Sequence, residues 1–212
     1  MGRPAKFSRT QLQAAALALV DKHGLDGLSM RALAAALGTG PMTIYNHVAD
    51  RADLEVLVVE AIVGQARWPR RHRAAWRADV REIATAMWRA VRAHPHAIPL
   101  ILTRRTRSPG ALEVAEALLA ALARSGRSRR SLLIAFRAVS AFVMGFAQAE
   151  LAGPLAVEAG EQARAVIRRV RALPRARYPR LVEIATSAAT SRAEREFRLG
   201  LDLLLDGLAT RR

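Results

Sequence analysis

The residues best suited to chemistry lie together between Pro41 and His47, where the chain reads Pro-Met-Thr-Ile-Tyr-Asn-His. On a helix, Ile44 and Val48 lie four apart and share a face. If that face is buried, Met42, Thr43, Tyr45, Asn46 and His47 point outward as a set of thioether, hydroxyl, phenol, amide and imidazole groups. Such a set can bond phosphate oxygens and meet base edges in a major groove. Tyr45 and His47 are candidates for phosphate, Met42 and Thr43 for thymine methyl groups.

Two short helices must position this set. Ser29 can cap the first, Leu28 and Leu33 sit where a hydrophobic staple requires them, and Leu33, Ala34 and Leu37 fall on one side. Gly38 stops it. Gly40 and Pro41 suit the start of the second, since proline at the first helical position gives up only an N–H that would be unpaired there. The result is a helix-turn-helix. Ahead of it, Thr10 can cap a helix in which Leu12, Ala16, Leu19 and Val20 recur with a helical period until Gly24. Behind it, Asp50 can cap a helix with Asp53 three residues on and a stripe of Leu54, Leu57, Val58, Ala61 and Ile62. That helix continues past the helix-turn-helix and would link it mechanically to the second half of the chain.

Residues 9 to about 65 resemble the tetracycline-repressor (TetR) family of transcriptional regulators. The resemblance rests on Lys22-His23-Gly24, the run Leu25 to Arg31, Leu33-Ala34, Leu37-Gly38 and Thr43 to Val48. It implies an all-α homodimer with a three-helix N-terminal domain on a palindromic operator and a helical-bundle C-terminal domain that binds a small inducer and dimerises. Domains are expected at 1–49 (DNA-binding, with an N-terminal arm), 50–66 (connecting helix) and 67–212. Carried over position by position, the resemblance places Pro41, Met42, Thr43, Tyr45, Asn46 and His47 on bases or phosphates. It adds Ser29 and Arg31 from the preceding helix and gives Arg51 a phosphate. Relatives often carry a base-reading glutamine where this chain has Pro41, so a different operator is implied.

Composition agrees with an all-helical protein: of 212 residues 51% are hydrophobic and only 5% aromatic. A net charge of +16 suggests a polyanionic partner, but residues 1–65 carry six Lys or Arg against six acids, and the excess lies in residues 66–212, where 28 arginines face 12 acids. Bulk charge therefore does not locate the DNA site. Arrangement does: Arg3, Lys6, Arg9, Arg31 and Arg51 can flank the recognition helix. The arm around Arg3 and Lys6 either lies in a minor groove or is a solvated tail. Lysine occurs only at positions 6 and 22, a bias that fits a GC-rich coding sequence or a preference for bidentate contacts.

In the second half, Pro69 interrupts the pattern. A helix from about Ala74 to Ala93 sets Trp76, Val80, Ile83, Met87 and Val91 on one face and stops at His94-Pro95. Ile98 to Leu102 and a basic loop, Arg104 to Arg107, lead to a helix opened by Ser108-Pro109 through Leu112, Ala115, Leu119 and Leu122. Residues 131–152 are apolar on nearly every side, so one face is expected on the core and another on a second copy of the chain. Their longest apolar run, Ala138 to Ala149, is expected to be too short to cross a bilayer. No signal-peptide pattern opens the chain, so a cytoplasmic protein without a membrane partner is expected. Residues 155–180 suggest an exposed helix and a mobile connection. The last helix runs from about Arg192 to Leu208. By resemblance, the last two long helices form a dimer interface through Phe136, Val139, Val143, Phe197, Leu201, Leu204 and Leu208.

Enzymatic chemistry finds no support: there is no cysteine, glycine-rich phosphate loop, nucleophile elbow or carboxylate cluster. His94 and His96 suggest a metal pair, but Pro95 between them and the lack of a nearby carboxylate favour a helix-terminus role. Against the tetracycline repressor, the positions associated with magnesium-chelated drug fall on Ala66, Leu100 and Ala149, so neither a metal nor another cofactor is expected. A largely apolar inducer held by some of Trp76, Met87, Trp88, Phe136, Phe142, Met144 and Phe146 fits better. The competing reading is a basic helical protein that coats DNA or anionic membrane without sequence preference.

Overall fold

A computed structural model describes residues 7–69, 75–152, 163–188 and 192–210, and every regular element among them is helical. In chain order these are α1 (Arg9–His23), α2 (Met30–Ala36), α3 (Pro41–Tyr45), α4 (Arg51–Val63), α5 (Trp76–Arg92) and α6 (Ile98–Arg104). They continue with α7 (Pro109–Ala123), α8 (Arg129–Ala152), α9 (Ala163–Arg171), α10 (Pro179–Ala188) and α11 (Ala193–Thr210). Contacts group the chain into two compact units, Met1–Arg127 and Ser128–Arg212, so α5, α6 and α7 belong to the unit that holds the helix-turn-helix and pack on its α4.

The first helix starts one residue before the expected cap at Thr10. Ser8 caps it through a reciprocal pair: Ser8 Oγ accepts from the Gln11 amide at 3.2 Å, and Gln11 Oε1 accepts from the Ser8 amide at 2.8 Å. This Ser-x-x-Gln box satisfies two donors that Thr10 would leave open. Leu12, Ala16, Leu17 and Val20 are buried, while Leu19 is only half-buried.

The turn between α2 and α3 forms as its residues require. Ser29 Oγ accepts from the Ala32 amide at 3.1 Å. At the far end, the Thr39 and Gly38 amides donate to the Ala34 and Ala35 carbonyls at 2.9 and 3.1 Å, a Schellman closure that needs a left-handed residue. Gly38 supplies it at φ 62°. Gly27 answers another constraint, since a Cβ there would lie 2.3 Å from that of His23.

The helix after the turn is covered on nearly every side rather than along one stripe. Asp50 caps α4 by accepting from the Asp53 amide at 2.8 Å. Leu54, Val56, Leu57, Val58, Val59, Ile62 and Val63 are buried, whereas Ala61 is half-buried. The cause is position: α4 packs on α1 and is also met by α5, α6 and α7.

The faces of α5 and α7 differ from expectation in detail. Val80, Ile83 and Val91 are buried, but Trp76 and Met87 only half so. On α7 the buried set is Val114, Leu118, Ala121 and Leu122, so the stripe is rotated and Leu112 is exposed. Asp79, buried on α5, is held by Arg124 beyond the end of α7 at 2.7 Å.

In the second unit α8 buries Ala135, Val139, Val143 and Ala147, one residue per helical turn. Its residues Arg129–Ala149 form 21 residues of mean hydropathy 1.7, long and apolar enough by length and composition to cross a bilayer. That corrects the sequence-based length argument, which starts the run at Ala138 and omits the apolar turn around Leu132 to Phe136. Arg137 is exposed within it, an unfavourable group at membrane depth. On α11, Phe197, Leu201 and Leu205 are fully buried, and Phe142, Phe146 and Phe197 form an aromatic trio with centroids 5.3 to 5.6 Å apart. A Cβ at Gly200 would come within 2.9 Å of Phe142. Helices α9 and α10 pack on each other across the break at Pro174. The first part of the expected mobile connection lies outside the described residues.

Ile44 is fully buried although α3 has only five residues. Ile44→Ala should lower the unfolding midpoint of the first unit, with a loss of about 2 to 5 kcal/mol, measured by denaturant titration of the full chain. A loss below about 0.5 kcal/mol would show that α3 is not held by this side chain.

Candidate nucleic-acid interface

Because Ile44 and Val48 are buried, the opposite side of α3 must face out. Met42 is 75% and Tyr45 51% exposed, and Pro41 and Asn46 are exposed beside them. Thr43 and His47 are half-buried. The regular helix ends at Tyr45, leaving Asn46 and His47 in the turn after it. His47 lines a cleft of about 290 Å³ with Arg9, Asp53, Glu60 and Arg107, so part of its ring faces the protein. The projecting ridge is therefore Pro41, Met42, Tyr45 and Asn46, flanked by Thr43 and His47.

Of the cations expected to flank this ridge, Arg9 and Arg51 are committed elsewhere. Arg9 pairs with Glu60 at 2.8 Å, and Glu60 also accepts from Gln13 Nε2 at 2.7 Å. Ser29 uses its hydroxyl oxygen to cap α2. Arg31 is exposed on α2. Arg3 and Lys6 lie outside the described residues. Arg51, expected to hold a phosphate, is bonded to internal acceptors while its side chain stays 51% exposed: its guanidinium donates to the Leu25 carbonyl at 3.0 Å, to the Leu28 carbonyl and to Glu55 Oε1 at 3.0 Å. The reason is local, since the carbonyls around the 3-10 turn Leu25–Gly27 and an acid one turn along α4 offer a cation three acceptors.

Glu55 is the residue that sequence reasoning missed. It is 8% exposed, in the middle of an apolar helix. Arg104, at the end of α6, donates to its Oε2 at 2.8 Å while Arg51 donates to Oε1 at 3.0 Å. Burial alone would push this carboxyl up, but the hydrogen bonds and charges of Arg104 and Arg51 outweigh it and hold Glu55 below its ordinary value. A second bridge, Arg107 to Asp53 at 2.8 Å, ties the same end of α4 to the 3-10 turn Arg105–Arg107. An acid within the apolar run Leu54 to Val59, four residues after an arginine, was the available signal.

The two histidines form no metal pair. His94 Nδ1 lies 2.9 Å from the Asp21 carboxylate and Nε2 3.1 Å from Gln65 Oε1, so a carboxylate is close after all, brought from the end of α1. His96 Nδ1 faces the Val20 and Asp21 carbonyls at 3.2 Å. Among the described residues no group of three or more His, Cys, Asp or Glu could hold a metal. Both rings fasten the segment after α5 to the end of α1.

The expected inducer-lining residues divide between the units. In the first, Trp88 is fully buried with the Arg92 guanidinium 4.6 Å from its ring, and Trp76 and Met87 are half-buried. In the second, Phe136, Phe142, Met144 and Phe146 are half-buried along α8. Of the expected dimer-interface residues, Val139, Val143, Phe197 and Leu201 are already covered within one chain. Phe136, Leu204 and Leu208 are half-exposed.

The depressed Glu55 value gives a pH dependence of stability with a definite sign. The ionised pair stabilises the fold above the ordinary carboxylate range, and this contribution is lost as pH falls through the lowered native value. Wild type should therefore exceed Glu55→Gln in stability at pH 7, and the gap should close below about pH 4. A gap independent of pH in parallel thermal melts would show that the ionised form is not what stabilises.

The chain matches the family described as bacterial regulatory proteins, tetR family, over residues 12–54, and the tetracyclin repressor-like C-terminal domain over residues 68–212. It is 36% identical over 155 residues to an HTH-type transcriptional regulator of Saccharopolyspora erythraea, covering 70% of this chain and 66% of that one. It is 30% identical over 138 residues to the HTH-type transcriptional repressor DrrR1 of Streptomyces coeruleorubidus, covering 65% of this chain and 51% of that one. The alignments thus span about two thirds and one half of these relatives' lengths. In structure it is similar to the Streptomyces coelicolor TetR family protein ActR in complex with (S)-DNPA, with a TM-score of 0.79 and 25% identity over 98% of this chain and 100% of that one. With a matching helix-turn-helix followed by a matching C-terminal domain, the chain belongs to the TetR family of transcriptional regulators.

Proposed function

We propose that the protein is a homodimeric cytoplasmic repressor that binds a pseudo-palindromic operator and is released by a small, largely apolar inducer. The observation that carries this reading is the ridge of Pro41, Met42, Tyr45 and Asn46, projecting from a helix whose other side is buried at Ile44. Thr43, His47, Ser29 and Arg31 would complete the contacts from the flanks. Two such ridges about 34 Å apart would enter successive major grooves. The working division is DNA binding by 1–49, transmission by 50–66, and inducer binding with dimerisation by 67–212.

For the dimer, the faces of α8 and α11 that remain open are the natural contact. Ile134, Leu199 and Leu203 are exposed, Ala141 and Gly145 lie on the open side of α8, and a Cβ at Gly145 would meet nothing. Phe136, Leu204 and Leu208 border these faces. An α8 covered by a twofold mate needs no lipid, which favours a partner chain over a membrane.

For the inducer, ActR is one relative solved with a bound small molecule, and the half-buried aromatic residues of α8 suit an apolar ligand. A ligand that prefers the conformer with misspaced ridges would release the DNA in proportion to its differential affinity. The competing reading is supported by exposed Arg168, Arg171, Arg175, Arg177 and Arg180 around α9 and α10, which would attract any polyanion.

Selection from random duplex DNA with excess competitor tests the proposal. The expected product is a palindrome bound by two chains, and equal displacement at all sequences would establish the non-specific reading instead. On the selected site, Tyr45→Ala should weaken binding by about 1 to 3 kcal/mol, and unchanged affinity in a titration would remove α3 from the interface. Leu203→Arg combined with Ile134→Arg should yield monomers in sedimentation, while a persistent dimer would place the interface elsewhere.

A further inference from the structure

We propose that Arg51, Glu55 and Arg104 form a positioning strut that sets operator affinity without touching DNA. The inference rests on the operator-binding reading above, and it replaces a phosphate contact at the start of α4 with an internal one. Arg51 donates to the Leu25 carbonyl at 3.0 Å and to the Leu28 carbonyl, which bracket the turn leading into Ser29 and α2. The same guanidinium is anchored by Glu55 at 3.0 Å, and Glu55 is in turn held by Arg104 at 2.8 Å. One buried carboxylate therefore connects the end of α6 to the backbone that starts the helix-turn-helix.

The arrangement has the properties a strut requires. A carboxylate that is 8% exposed is stable in ionised form only while paired, and losing a partner leaves a buried charge at substantial cost. The planar guanidinium of Arg51 offers donors in a fixed fork, so one side chain reaches a carboxylate and two carbonyls in a single geometry. Its acceptors belong to two places in sequence, the loop before α2 and α4 itself, and α6 joins them through the second cation on Glu55, Arg104. Moving Arg104 away from Glu55 would weaken the hold of Glu55 on Arg51, and with it the hold of α4 on the α2 entry. Operator affinity then depends on α6, an element that carries none of the projecting ridge.

The two possible roles of Arg51 predict opposite signs. If Arg51 were a phosphate ligand restrained by Glu55, then Glu55→Gln would release it and tighten operator binding. As a strut, Glu55→Gln and Arg104→Ala should each weaken binding about 3- to 30-fold. Arg104→Lys, which keeps a cation opposite Glu55, should recover part of the Arg104→Ala loss.

The test uses the full chain on its selected operator over a range of salt concentrations, with circular dichroism confirming the fold of each variant. Arg51→Ala should reduce affinity and leave the dependence of log K on log salt unchanged. A lost phosphate contact would instead shallow that slope by about 0.9 per protomer. Tighter binding by Glu55→Gln, or a shallower slope for Arg51→Ala, overturns the strut. Amide hydrogen exchange without DNA decides the matter independently of any operator: exchange across Leu25 to Ala36 should quicken in Glu55→Gln and Arg104→Ala. Unchanged exchange there overturns the inference even if the chain binds its operator as proposed; faster exchange with no palindrome found would support the positioning of the α2 entry and overturn only its effect on operator affinity.

Discussion

A helix of five residues cannot hold itself in water, because the cost of fixing its first turn is recovered only over many further residues. The proposed recognition helix α3 is therefore shaped by its surroundings, and burial of Ile44 and Val48 is the interaction that fixes it. Everything presented to a groove depends on that burial: with two side chains inward at a four-residue interval, the others have one direction left. The Schellman turn at Gly38 and the proline start at Pro41 set the angle at which the helix leaves α2, but they could not seat it alone.

The fastening continues inward through α4. This helix touches α1 and, on its other sides, α5, α6 and α7, and polar ties accompany the apolar packing. Arg9 to Glu60, Arg107 to Asp53 and Arg104 to Glu55 each join it to a different element. The last has the least exposed cation of the three, Arg104 at 37% against 59% for Arg9 and 49% for Arg107, and its acid carries a second arginine, whereas exposed pairs of this kind contribute little singly. They also explain why a net charge near zero in residues 1–65 is compatible with binding DNA. Arg9 and Arg51 there serve internal acceptors, and in the proposed contact the ridge would rely on shape and hydrogen bonding more than on bulk charge.

Much of this architecture is legible in the residues. Capping by Ser29 and Asp50, the stop at Gly38 and the outward set after Pro41 depend on neighbours within four positions, and local chemistry determines them. The illegible part depends on distant partners. The α7 stripe at Leu112, Ala115, Leu119 and Leu122 is a good helical period, yet packing with α5 and α4 selects Val114, Leu118 and Ala121 with Leu122. Arg51 is placed on a phosphate by its position in the motif, and its three internal acceptors, two of them backbone carbonyls over twenty residues away, cannot be read from that position. His94 lacks a carboxylate nearby in sequence and finds Asp21 from α1. The Ser8 box is local and readable, whereas Thr10 fits the helical period without offering the reciprocal bond.

In the proposed complex the ridge on α3, and not the arginine-rich surface of the second unit, meets DNA. Amide hydrogen exchange of the full chain with and without a bound high-affinity duplex measures this directly. Slowed exchange is expected to concentrate in Met42 to His47 and the start of α2. Protection confined to residues 163–188, with the α3 amides unchanged, would contradict it.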